Sequence, residues 1–65
     1  MIEIVVELKK LEVAKVLDKC EELGVVYKQL QGYGGSPSFM FKGESEKIRE
    51  ALSVALEEEE LDEIL

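Results

Sequence analysis

The chain contains no histidine and no tryptophan, and it has one cysteine and one proline. Without histidine it lacks the commonest general base near neutral pH. A single cysteine excludes a disulfide within the chain and, with no histidine beside it, leaves too few ligands for a zinc cage. We therefore expect no catalysis, no metal site and no cofactor.

Positive charge is also scarce, since 8 basic residues face 15 acidic ones and the net charge is −7. Such a field repels nucleic-acid phosphates and anionic lipid, so neither is expected as a partner. No apolar run approaches the roughly 20 residues of a membrane span, and the opening MIEIVVELKK does not resemble a signal peptide. We expect a cytoplasmic protein, and its Glu- and Lys-rich polar set is typical of thermophile proteins.

The chain is short as well, and its 65 residues predict a single domain over 1–65. A domain of this size buries only about 60% of the surface that its unfolded chain exposes. Small domains usually gain stability from disulfides, metals or partner subunits. With the first two excluded, we expect a homo-oligomer.

Hydrophobic periodicity predicts the order strand, helix, strand, strand, helix. Alternation of Ile2, Ile4, Val6 and Leu8 with polar neighbours indicates a strand with one buried face. A helix follows, starting between residues 10 and 13 and ending at Gly24; its apolar stripe consists of Val13, Val16, Leu17, Cys20 and Leu23. Strands are predicted over 25–31 and 39–42, and a second helix after Gly43, with Ser45 as its N-cap.

The end of the chain has two interpretations. Ile48, Ala51, Leu52, Ala55 and Leu56 form one helical stripe, but the later apolar residues fall on the opposite side of such a helix. Either one helix runs to the end with a second apolar face, or it stops within EEEE and LDEIL turns back. The predicted oligomer interface consists of Val54, Leu61, Ile64 and Leu65. The acids from 57 onward would then lie at a helix C-terminus, where they oppose its dipole.

These elements predict an α+β fold, a ferredoxin-like βαββα sandwich with two helices on one face of an antiparallel sheet. The right-handed crossover rule places the first and third strands side by side. The fourth strand of that arrangement is either absent or supplied by the C-terminal tail. Exposed sheet edges would invite pairing with another chain.

The segment GYGGSPSF, residues 32–39, is the main candidate site. Its glycines suit a hairpin turn between two strands. The same glycines could let backbone N–H groups converge on an anion, although the segment has no GxGxxG pattern. If it binds a ligand, the residues expected to do so are Gly32, Tyr33, Gly34, Gly35, Ser36 and Ser38.

The residues IEIVVELKKLEVAKVL, ELGV and LQGYG resemble the first half of the nitrogen regulatory protein PII family. The resemblance implies a homotrimer whose sheets pack together, with adenine nucleotides bound in clefts between subunits near the glycine motif. The long loop of that family is missing, since only residues 35–38 separate GYG from the next strand. The resemblance therefore favours a small non-catalytic regulatory module that binds a small ligand or a protein partner.

The segment GYGGSPSFMFKGESEKIREAL is similar to bacterial microcompartment shell proteins, in which a glycine-serine turn leads into a strand and then a helix. That resemblance implies tiling into hexamers. The alternative function is therefore a structural subunit that self-associates through its sheet edge and its C-terminal tail.

Overall fold

The computed structural model describes residues 1–30 and 36–65. These residues form an α+β fold with three strands in one antiparallel sheet and three helices. The elements are β1 (Ile2–Glu7), α1 (Lys10–Leu23), β2 (Val26–Gln29), β3 (Ser38–Gly43), α2 (Ser45–Leu52) and α3 (Glu58–Ile64). The predicted α+β class and the first five elements are thus confirmed. Of the two interpretations of the tail, the continuous helix is wrong; a separate C-terminal piece is present, but α2 ends at Leu52, before EEEE, and α3 begins within EEEE.

Strand β3 lies in the middle of the sheet, which has the order β1-β3-β2. Both of its neighbours pair with it in antiparallel fashion, so β1 and β2 run parallel to each other and α1 forms the crossover between them. The predicted adjacency of the first and third strands is confirmed. In the described part of the chain the tail contributes a helix to the fold and not a fourth strand.

Helix α1 begins at Lys10, within the predicted range, and has no side-chain hydrogen bond at its N-terminus. Its end is well defined, because Gly24 adopts the left-handed conformation with φ 77° and its N–H donates to the carbonyl of Cys20. The N–H of Val25 donates to the same carbonyl at 2.8 Å. This turn directs the chain from the helix straight into β2.

The core lies between the sheet and the helices. Phe39 and Phe41 project from β3 into it with ring centroids 6.2 Å apart. Around them lie the predicted inward residues of β1 and the apolar stripes of α1 and α2. The side chains that are almost completely buried are Val6, Leu8, Val16, Cys20, Val25, Phe39, Phe41, Ile48, Ala51, Leu52 and Leu61. One contiguous cluster therefore joins all the elements except β2, which packs Tyr27 against its edge.

The predicted start of the second helix needs a correction of one residue. The N-cap is Glu44, not Ser45, which is the first residue of α2. Neither side chain makes a capping hydrogen bond there, so the helix start depends on packing of Ile48 rather than on a cap.

The stripe that was expected to continue through Ala55 and Leu56 is interrupted, since α2 ends at Leu52. At this end the hydroxyl of Ser53 donates to the carbonyl of Glu50 at 2.6 Å, and the N–H of Leu56 donates to the carbonyl of Leu52 at 2.8 Å. The chain then turns and α3 begins at Glu58. The turn brings Leu61 into the core, whereas a continuous helix would have placed it on the opposite side.

The break also reverses the role of the acidic run. Glu57 caps α3 through a capping box with Glu60, and Glu58 and Glu59 lie in the first helical turn. The expectation that the acids oppose a helix dipole was therefore wrong for residues 57–60, whereas Asp62 and Glu63 lie in the last turn of α3. Carboxylates at an N-terminus stabilise a helix by typically 0.3–1 kcal/mol each.

Substituting Gly24 tests whether the left-handed turn determines the end of α1. No atom lies within 4 Å of the position that a Cβ would occupy, so the cost is one of backbone conformation alone. Gly24→Ala should lower the free energy of unfolding by about 1–2 kcal/mol, measured by urea denaturation. Gly24→Asn is the matched control and should lose less, because asparagine tolerates this conformation. Equal losses in the two variants would contradict the assignment.

Candidate functional site

The most prominent surface of the molecule is the face of the sheet that points away from α1 and α2, which we call the outer face. It carries the alternate residues of each strand, namely Glu3, Val5 and Glu7 on β1, Ser38, Met40 and Lys42 on β3, and Val26 and Lys28 on β2, followed by Leu30. Val5 is 62% exposed and Val26 is 59% exposed. Apolar side chains are thus accessible to solvent on both edge strands of the sheet.

Pairing places the outer-face residues in rows across the three strands. One row contains Glu3, Lys42 and Val26, and the next contains Val5, Met40 and Lys28. In the third row Glu7 lies opposite Ser38, and the N–H of Leu30 donates to the Ser38 carbonyl at 2.8 Å. Because β3 lies between them, acidic β1 and basic β2 form opposite edges of one surface. Neighbouring strands are about 4.7–4.9 Å apart.

Four residues of the glycine segment lie outside the described residues, namely Gly32, Tyr33, Gly34 and Gly35. Ser36 is exposed and Ser38 is half-buried at the start of β3. The backbone carbonyl of Ser38 accepts the hydrogen bond from Leu30, and that of Pro37 accepts one from Leu8 at 3.0 Å. The backbone of Pro37 and Ser38 thus anchors sheet structure, and the part of Ser36 and Ser38 in ligand binding stays a prediction.

An open groove of about 540 Å³ lies beside that segment. Helix α1 forms one wall, and residues at the ends of β2 and β3 form the other; its lining consists of Lys10, Val13, Ala14, Leu17, Gln29, Pro37 and Phe39. The groove is mainly apolar, and the ammonium of Lys10 is the charged group on its wall. Such a lining fits a small ligand that has an apolar body and an acidic group.

A second open groove, of about 420 Å³, separates α2 from α3. Arg49 lies on its wall and forms ion pairs with Asp62 and, at 3.9 Å, with Glu58. Because these side chains are largely exposed, the pairs contribute little to stability. The arginine is already engaged by carboxylates of its own chain, so this groove is a helix–helix junction rather than an anion site.

The residues of the predicted oligomer interface divide into two groups. Leu61 is only 3% exposed and Ile64 packs against the same core. Val54 is 41% exposed and Leu65 is 37% exposed. Leu61 is therefore occupied within its own subunit, and an interface at the tail would have mainly Val54 and Leu65 to offer.

Cys20 is completely buried on the inner stripe of α1, as the sequence predicted. Burial raises the pKa of its thiol from the ordinary 9.0 to about 11, because the thiolate would lose its hydration. Nearby, the hydroxyl of Tyr27 donates to a carboxylate oxygen of Glu21 at 3.1 Å, and this bond raises the tyrosine pKa. Both groups are protonated at neutral pH, so neither is a nucleophile there.

Carboxylates do not gather into a metal site in the part of the chain that the structure describes, where no group of three or more His, Cys, Asp or Glu side chains is placed to hold an ion. Glu3 and Glu7 are both exposed on the outer face. Within residues 1–30 and 36–65, no helix is both long and apolar enough to cross a bilayer.

Sequence reasoning concentrated on the glycine segment and the tail and gave the outer face no role. The signal was present, since Val5 interrupts the polar side of β1 and Met40 and Val26 occupy the same side of their strands. It was missed because one apolar residue on the polar side of a strand does not indicate an exposed patch. The patch can be recognised only when the cross-strand neighbours of that residue are known.

Comparison with known proteins gives no relative, because no protein-family model, no curated protein and no solved structure matches this chain.

The buried thiol predicts a specific alkaline instability. The unfolded chain ionises at Cys20 above about pH 9 while the folded chain keeps its proton, so the stabilising contribution is complete below that pH and is lost as the pH rises towards 11. Between about pH 8 and about pH 11, the free energy of unfolding should fall by roughly 2 kcal/mol more in the native chain than in Cys20→Ala. Tyr27 is present in both proteins, so most of its contribution cancels; the hydrogen bond to Glu21 is the largest cause of its raised pKa, and the charge of Cys20 is one of the smaller causes. Parallel pH profiles would show that the thiol is not buried.

Proposed function

We propose that this chain is a small non-catalytic binding module that works as a homo-oligomer. Its finer architecture is then the ferredoxin-like arrangement without a fourth strand, close in layout to the PII-like domains that the sequence resembles. The strand order β1-β3-β2 with α1 as the crossover supports this reading.

The observation that carries the proposal is the exposed apolar surface of the outer face. Its inner counterpart is covered by helices, whereas Val5 and Val26 are each more than half exposed. A domain this small gains much from burying a second sheet face against another subunit. Assembly through this face makes the sheet the middle of the oligomer and leaves the helices and the groove accessible on the outside.

The size of the face limits the strength of the contact. The molecule measures 29 × 23 × 18 Å, so one sheet face provides an interface at the small end of specific complexes, below about 1,200 Å² in total. We therefore expect reversible association with a Kd on the order of 1–100 μM.

The test compares two double variants that remove similar apolar groups from different surfaces. The double variant Val5→Ser with Val26→Ser should raise the Kd of self-association at least about tenfold. Analytical ultracentrifugation over a concentration series measures this Kd. The control is Val54→Ser with Leu65→Ser, which alters the predicted tail interface and should associate like the native chain. If only the control dissociates, the tail and not the sheet holds the subunits together. A native chain that stays monomeric throughout the series refutes the proposal.

A second candidate function, binding of a small ligand, is favoured by the groove between α1 and the ends of β2 and β3. Its apolar wall and the ammonium of Lys10 suit a ligand with a hydrocarbon body and one carboxylate. Gln29 and Pro37 line this groove and are close in sequence to the glycine motif, near which the PII resemblance places a ligand. Unlike the inter-subunit clefts that the resemblance implies, this groove lies within one chain, so the candidate is independent of the number of subunits.

Thermal melts test the groove with octanoate as the apolar anion and ATP as the nucleotide. Octanoate at about 100 times its Kd should stabilise the fold by about 2.7 kcal/mol, which raises the Tm by roughly 10 °C or more in a domain of this size. The rise should be reduced in Lys10→Glu and retained in Lys15→Glu, which makes the same charge change elsewhere on α1. A rise with ATP alone would favour nucleotide binding instead. No rise with either compound would exclude both ligands from the groove.

A further inference from the structure

We propose that two copies of this chain pack their outer faces together about a two-fold axis that runs along the strands, so that β1 of each copy lies across β2 of the other. The inference rests on the proposed self-association and adds the partner's orientation and the residues that determine it.

The first argument is the local charge. The chain as a whole carries −7, which makes most pairs of surfaces on two copies repel each other. On the outer face, however, the two acids Glu3 and Glu7 are balanced by Lys28 and Lys42. A second copy can therefore approach this face without the repulsion that the acidic helices impose.

The second argument is where those charges lie. The acids are confined to β1 at one edge of the sheet, and Lys28 lies on β2 at the other edge, with β3 between them. A surface that is acidic at one edge and basic at the other is complementary to itself after a two-fold rotation that exchanges the edges. Such an isologous contact places each favourable pair in the interface twice.

Geometry leaves two simple orientations for aligned sheets, which pack with their strands within about 30° of each other. An axis across the strands would lay each strand on its own copy, so that Glu3 would face Glu7 of the second copy and Lys28 would face its own counterpart. An axis along the strands instead lays β1 on β2 of the second copy. Like charges oppose each other in the first orientation and opposite charges in the second, which selects the second.

In the selected orientation Lys28 lies above Val5 of the second copy, since both belong to the row that contains Met40. Two residues along a strand span about 6.6–6.8 Å, so Glu3 and Glu7 of the second copy flank the lysine on either side within reach of its long side chain. Met40 meets its own counterpart at the axis. Lys42 also approaches its counterpart, but each Lys42 has Glu3 of its own chain directly opposite in the sheet.

The experiment uses two charge variants that should fail alone and succeed together. The first is Glu3→Lys with Glu7→Lys, and the second is Lys28→Glu. Each variant alone brings like charges together twice per dimer, so its self-association should weaken at least about tenfold. In an equimolar mixture the substituted β1 of the first variant faces the substituted β2 of the second, while the native β1 of the second variant faces the native β2 of the first. The mixture should therefore form heterodimers with a Kd within about threefold of the native value.

Lys47→Glu makes the same change in net charge as Lys28→Glu and is its control, since Lys47 is exposed on α2; it should associate like the native chain. Ultracentrifugation gives the mass, and circular dichroism confirms that each variant is folded. If the native chain associates through the outer face but the mixture does not recover, or if the native mass is that of a trimer, the two-fold pairing is overturned while the proposed self-association stands. A native chain that is monomeric at every concentration overturns both.

Discussion

The pairing of β3 with both of its neighbours is the constraint on which the rest of the structure depends. This strand supplies Phe39 and Phe41 to the core from one side and Met40 to the outer face from the other. β1 and β2 lie on either side of it and do not pair with each other, so β3 is what joins them into one sheet. The helices pack where the two phenylalanine rings provide an apolar surface, so the position of the whole helical layer follows from the alternation along six residues.

Much of this fold could be predicted from the spacing of apolar residues along the chain, as two elements show. Strand β1 alternates cleanly over Ile2, Ile4 and Val6, and the stripe of α1 ends at a glycine that is suited to a left-handed turn. The tail could not be predicted in the same way. Ala55 and Leu56 continue the phase of α2, and the side-chain hydrogen bond from Ser53 to the carbonyl of Glu50 at the end of the helix has no signature in the spacing of apolar residues.

The candidate site was less accessible to sequence reasoning than the fold. Motif searching draws attention to clustered glycines and acids, whereas the outer face is a property of register. Val5 becomes significant only when Met40 and Lys28 are known to lie in its row. The edge-to-edge separation of Glu7 from Lys28 likewise depends on strand order, which a crossover rule constrains but does not determine in full.

The order of strands also sets a schedule for folding during synthesis. Glu7 pairs with Ser38, which lies 31 positions further along the chain, so β1 has no pairing partner until β3, three elements further along the chain, is made. At about 5–20 residues per second, that interval lasts from one to several seconds. Throughout it an apolar, β-branched strand is available to other nascent chains. Each copy of that strand carries Glu3 and Glu7 beside its apolar residues, and charged residues placed in this way disfavour aggregation of a hydrophobic strand.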